Sequence, residues 1–176
     1  MTRLDKPGII FSVAGGALNQ TIDEQTKKCF KLGLMRAAKS TDSWIVTRGT
    51  DVGVMQVIGD IIDENMSAQD LKVFGITNYK HVKEFLDQKT NSRFESKVSL
   101  NSNHSFFILI DNIDEKTDEI SIRNYLLNII KVNLKVPMIL IVLEGGLDTI
   151  KTIYYALKDK IPIILMAVRL TEMWLF

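Results

Sequence analysis

Six short apolar runs punctuate the chain, and the way they are separated constrains the fold more than any other feature. They are "GIIFSV", "SWIVT", "LKVFGIT", "SFFILID", "MILIVL" and "PIILM". Each is nearly continuous in apolar, often β-branched residues instead of alternating with polar ones. That texture suits strands covered on both faces. Segments with helical spacing lie between most of them. Residues 21–40 open with a capping box, Thr21 and Glu24, and carry Phe30, Leu34 and Ala37 on one stripe. Residues 51–65 carry Val54, Ile58, Ile61 and Ile62 in the same way. Residues 119–131 carry Ile122, Leu126, Ile129 and Ile130, and residues 147–158 carry Ile150, Ile153, Tyr154 and Leu157. A stripe residue that is fully buried contributes roughly 1.5–3 kcal/mol, enough to fix such helices on a sheet.

Strands that alternate with helices pair in parallel through right-handed crossovers. The sequence therefore predicts an α/β chain, a Rossmann-like three-layer domain with a mainly parallel sheet. The length of 176 residues suits one such domain, and 46% apolar residues can build its core. The polar segment 87–103 lacks periodicity and is expected to be a long surface loop. Cys29 is alone, which excludes an internal disulfide, and its helical context suggests a small core or boundary residue.

Three of the runs end on glycines and pass at once into helix-like sequence. The joints are Gly15-Gly16, the stretch "TRGTDVGVM" (47–55), and Gly145-Gly146 before Asp148-Thr149. Glycine turns at the carboxyl ends of parallel strands are mostly chain geometry. Three on one sheet edge also form a place where ligands bind, because the backbone can approach closely and helix N-termini point free N–H groups at a phosphate. Neither a Walker lysine nor a G-x-G-x-x-G sharpens this pattern. The formal net charge of +1 offers no field for nucleic acid or an anionic membrane. No apolar stretch approaches the roughly 20 residues that span a bilayer, and the N-terminus has no signal-peptide core, so the chain by itself is expected to be soluble. His104 has no acid or cysteine cluster around it and is expected to hydrogen-bond structurally, not to ligate metal.

The stretches "SVAGGALN", "WIVTRGTDVGVM", "LNSNHSFFILID", "EISIRNYL" and "VLEGGLDTIKTIYYAL" carry a more specific signal. In order and texture they resemble the N-terminal cytosolic homology region of melastatin-type transient receptor potential (TRPM) channels, a SLOG domain of Rossmann-like nucleotide-binding type. The resemblance covers residues from about 7 to 166. It implies a regulatory domain on the cytoplasmic side of the plasma membrane, part of a tetrameric calcium-permeable cation channel whose pore lies elsewhere. Its partners would be other channel domains and subunits and a small-molecule nucleotide, without nucleic acid and without membrane insertion by this chain.

The resemblance also implies a ligand, ADP-ribose or a related nucleotide, with no resident cofactor or metal. Carried over, the ligand site would comprise Gly15, Gly16 and Asn19 at the first joint, and Gly49, Thr50, Gly53, Val54 and Met55 at the second. Arg123 would assist, and Glu144, Gly145, Gly146 and Thr149 would form the third joint. Arg48, which stands where the family has a glycine, either meets a phosphate or fills the space that glycine leaves. Arg123 on its own could equally be a salt-bridged helix residue, and Asp148 reads best as an N-cap for a helix starting near Thr149. SLOG relatives include phosphoribohydrolases, but the helix positions of their acids are taken here by Lys151, Thr152 and Ile153, so catalysis is not expected. The remaining alternative is a purely structural subunit-contact module. From about residue 167 the chain departs from the family and reads as a divergent tail, "AVRLTEMWLF", and residues 1–176 are expected to be a fragment comprising a single such domain.

Overall fold

The computed structural model describes residues 4–16, 23–64, 71–82, 98–111 and 118–166. Six strands form one parallel sheet: β1 (Ile10–Gly15), β2 (Trp44–Thr47), β3 (Lys72–Asn78), β4 (Phe106–Ile110), β5 (Met138–Leu143) and β6 (Ile163–Met166). Their order is β4-β3-β2-β1-β5-β6. Among the described residues four α-helices connect them: α1 (Glu24–Thr41), α2 (Val54–Glu64), α3 (Glu119–Leu134) and α4 (Leu147–Lys158). The chain winds outward from β1 in one direction, then returns to place β5 on the other side of β1. The β1–β5 pair, in register from Ile10–Met138 to Gly15–Leu143, is therefore the topological switch point.

Two apolar clusters, one on each sheet face, account for the three layers. On one face Phe30, Leu34 and Ala38 of α1 and Val54, Ile58 and Ile61 of α2 pack on Phe11, Val13, Ile45, Val73 and Ile141. On the other, Leu127 of α3 and Ala156 of α4 pack on Ile10, Val46, Ile76, Leu140 and Val142. Successive residues of the central strands β1, β2 and β5 feed opposite clusters, which explains their continuous apolar runs, whereas the edge strands β4 and β6 leave Phe106, Leu109, Ile164 and Leu165 exposed.

Several local expectations change. The first helix is capped by Asp23, whose Oδ1 accepts the Thr26 N–H at 2.9 Å, so Glu24 is its first residue and the Thr21 capping box is not its start. Cys29 is exposed, since it points away from the stripe that holds Phe30. On α3, Ile129 is 37% exposed while Ile120 and Leu127 are buried. On α4 the sheet is met by Thr149, Ile153 and Ala156, whereas Ile150, Tyr154 and Leu157 face outward and Tyr155 is half-buried. Short side chains let α4 lie close to the sheet, and its apolar stripe is left on the outside. Leu157→Ala should accordingly change stability by no more than about 0.5 kcal/mol in urea unfolding. A loss above 2 kcal/mol would place Leu157 in a core that the fold does not give it.

The expected loop 87–103 is only partly described. Its last residues are not a free surface loop: Val98 bridges Val82, Leu100 bridges Thr50, and Asn101 is buried. Asn19 and residues 167–176, the expected tail, lie outside the described residues. Among the described residues no helix is long and apolar enough to cross a membrane.

Candidate functional site

All three glycine joints follow carboxyl ends of parallel strands and so lie on one sheet edge. They are built differently. At the first, Gly15 abuts the carbonyl of Leu143, and Gly16 donates its N–H to that same carbonyl at 3.3 Å. At the third, Glu144 takes φ 58° and Gly145 φ 147°, and a Cβ on Gly145 would meet Thr149 Oγ1 at 2.3 Å. Gly146 is the N-cap of α4, and no side chain among the described residues caps that terminus. Asp148 is therefore not the cap. It already belongs to the first helical turn.

The second joint turns inward. Gly49 has φ 79°, and a Cβ there would meet Gly75 Cα at 2.5 Å and the Phe107 ring at 3.0 Å. A buried hydrogen-bond chain fixes it. The Gly49 N–H donates to Thr47 Oγ1 at 2.7 Å, and Thr47 Oγ1 lies 2.8 Å from His104 Nε2. His104 Nδ1 lies 3.3 Å from Asn101 Oδ1, which also accepts the Asn103 N–H, while Asn101 Nδ2 donates to Asp51. Because Asn101 Oδ1 can only accept, the ring proton sits on Nδ1 and Nε2 accepts the Thr47 hydroxyl. Burial pushes the imidazole down to about 4, against a smaller opposing pull from the Asp51 carboxylate. His104 is thus a neutral structural residue, as its sequence context suggested.

Beyond the switch point the first and third joints open onto a crevice of about 210 Å³. Gly15, Arg48, Met55, Arg123 and Thr149 of the expected site line it. Gly16, Gly49, Thr50, Gly53, Val54, Glu144, Gly145 and Gly146 are not among its walls. Thr50, Val54 and Glu144 are buried, at 1%, 0% and 5% exposure, and Gly53 turns the chain into α2 with φ 58°.

The remaining walls include residues that the sequence reading did not assign to the site: Asp118, Glu119, Lys151 and Thr152. Glu119 is the important one. Its carboxylate bridges the two arginines, with Oε1 3.1 Å from Arg48 Nε and 3.3 Å from Arg123 Nη1, and Oε2 3.2 Å from Arg48 Nη2. Arg48 Nε is close enough for an ion pair but is not aligned for a hydrogen bond. Arg123 lies one helical turn after Glu119, a spacing legible in "EISIR", while Arg48 comes from 71 residues away. Burial lowers the Arg123 pKa, Glu119 raises it and Arg48 lowers it. Arg123 is salt-bridged, as its residue-level reading allowed, and it also faces the crevice. Among the described residues no cluster of acids, histidines or cysteines could hold a metal ion.

A family model described as SLOG in TRPM matches residues 1–168. A transient receptor potential cation channel subfamily M member-like 2 of Nematostella vectensis is 31% identical in an alignment that covers 93% of this chain and 12% of that protein. Subfamily M member 2 of Rattus norvegicus is 31% identical, over 93% of this chain and 13% of the relative. Subfamily M member 6 of Homo sapiens is 29% identical, over 92% and 9%. The chain spans roughly an eighth or less of the length of these relatives.

Proposed function

The chain belongs to the SLOG domains of TRPM channels, and from that membership we propose a cytosolic regulatory domain that senses an ADP-ribose-like nucleotide at the β1–β5 crevice. The observation that carries this reading is the placement of two arginines, Arg48 and Arg123, beside the uncapped N-terminus of α4 at the switch point. Backbone N–H groups and guanidiniums converging on one crevice are what a diphosphate needs. The domain would act within a tetrameric, calcium-permeable channel on the cytoplasmic side of the plasma membrane, and the pore would be contributed by other parts of the polypeptide.

Catalysis is not part of the proposal. The acids lining the crevice are Asp118 and Asp148, in or next to first helical turns, and Glu119, tied to both arginines. Glu119 and Asp118 engage arginines and backbone N–H groups, whereas base release from a nucleotide needs an acid placed for proton transfer. The purely structural reading is favoured by a separate observation, the outward apolar residues Tyr125 and Val132 of α3 and Leu147, Tyr154 and Leu157 of α4, each 60–75% exposed. Such a face suits contact with another channel domain and is compatible with nucleotide sensing.

Calorimetric titration with ADP-ribose tests the nucleotide reading. Arg123→Ala should weaken binding by about 2 kcal/mol, the scale of hydrogen bonds to a charged group, and added salt should weaken the wild type. If the wild type shows no binding at millimolar ADP-ribose, the domain is a structural module.

A further inference from the structure

The two guanidiniums of the crevice share a single carboxylate. Glu119 begins α3, its side chain is only 8% exposed, and it meets Arg48 and Arg123 within 3.3 Å. Its Oε2 also lies 3.3 Å from the backbone N–H of Asn78, which anchors it to the end of β3. The two oxygens therefore engage the arginines much as two oxygens of a phosphate would. The pairing answers a physical need of the two guanidiniums. Two guanidiniums held together away from water repel each other, and a carboxylate between them removes most of that cost.

The same pairing weakens the site for an anion. The charged walls of the crevice match three against three: Arg48, Arg123 and Lys151 with Asp118, Glu119 and Asp148. Asp118 is already engaged in capping, its Oδ1 accepting the Ser121 N–H at 2.8 Å, and Asp148 lies in the exposed first turn of α4. Glu119 alone among these acids binds both arginines. An incoming diphosphate thus finds its two best donors already occupied by the protein's own anion.

We propose that Glu119 is an internal stand-in for the ligand's phosphate, a specificity-determining side chain that holds Arg48 and Arg123 together and gives up part of that pairing to a phosphate-bearing ligand. This rests on the sensing role proposed above for the location of the site, though not for the identity of the nucleoside. Removing the charge while keeping the shape, as in Glu119→Gln, leaves two positive charges facing the crevice without their neutraliser. A phosphate should then bind more tightly. A residue that served only to orient the arginines would behave in the opposite way, because freeing the guanidiniums would weaken binding.

Inorganic pyrophosphate is the direct probe, since it carries the charge without the nucleoside. In calorimetry at low ionic strength, Glu119→Gln should bind it at least tenfold more tightly than the wild type does. Equal or weaker binding by the variant, or no binding by either protein, overturns the proposal. ADP-ribose titrated in parallel separates the two ideas: tighter pyrophosphate binding with no ADP-ribose binding in either protein supports the role of Glu119 and removes the nucleotide reading. Should Glu119→Gln fail to fold, wild-type protein labelled with ¹³C at glutamate carboxyl groups serves instead. The Glu119 resonance should shift as pyrophosphate saturates, and a resonance unmoved at saturation overturns the proposal.

Discussion

Gly15→Ala should destabilise the domain by about 4 kcal/mol, in the range that single substitutions rarely reach. A Cβ built on Gly15 would stand 2.2 Å from the carbonyl oxygen of Leu143 and 3.2 Å from Val54 Cγ1. The first contact is with backbone in the neighbouring strand, so no rotamer relieves it. Relief requires β1 and β5 to separate at the end of their six-residue register, where the Leu143 carbonyl also accepts the Gly16 N–H. The carbonyl would lose that partner, and the α2 end of the core around Val54 would open. Gly33 provides the control. It lies in α1 with nothing within 4 Å of its Cβ position, so Gly33→Ala should stabilise by about 1 kcal/mol through helix propensity alone. Urea unfolding of both variants measures this directly. A Gly15→Ala protein within 1 kcal/mol of wild type would mean that the central strands part easily and that close packing is not why glycine stands there.

The same glycine shows what a sequence can and cannot disclose. Its pairing with Gly16 after an apolar run located the joint, and the parallel order of the sheet placed it beside Leu143, on the edge where the third joint also lies. The strands were legible because burial on both faces leaves no polar alternation, and "MILIVL" coincides with β5, Met138–Leu143. Helix α4 was legible in extent but not in orientation. Ile150, Tyr154 and Leu157 form its longer apolar stripe, yet the sheet takes Thr149, Ile153 and Ala156. Periodicity finds a face but does not say which neighbour covers it when the opposite face is small instead of charged. In the site, Gly15, Arg48, Met55, Arg123 and Thr149 line one crevice. Glu119 escaped notice because an acid in the first turn of a helix reads as a complement to the helix dipole. Its partnership with Arg48 spans 71 residues, a separation that no local pattern can report. The second joint was not fully legible for a related reason: glycine at position 49 is required by Gly75 and Phe107, which only the folded sheet brings against it.

That second joint also sets how the domain responds to acid. His104 titrates near 6.5 in the unfolded chain but is pushed down to about 4 in the fold, chiefly by burial. Above pH 6.5 the ring is neutral in both states and adds no pH dependence. Between pH 6.5 and 4 the unfolded chain binds a proton that the folded one refuses, so stability falls as pH falls, by about 1.4 kcal/mol per unit. The loss should approach about 3 kcal/mol near pH 4 and level off below it, where the folded ring also takes up its proton. The structural reason is specific. Nε2 must accept the Thr47 hydroxyl while Thr47 Oγ1 accepts the Gly49 N–H, and a proton on Nε2 would break that relay at the residue that holds φ 79°. Carboxylates also titrate toward the acid end of this window, so the contribution of His104 is read from a difference. His104→Gln should be less stable than the wild type at pH 7, and the gap between them should narrow steadily from pH 6.5 down to 4.5. Denaturant unfolding of the two proteins at half-unit intervals measures the gap. Parallel curves across that window would mean that His104 is not the residue taking up the proton, and that the Thr47–His104–Asn101 chain tolerates a charged ring.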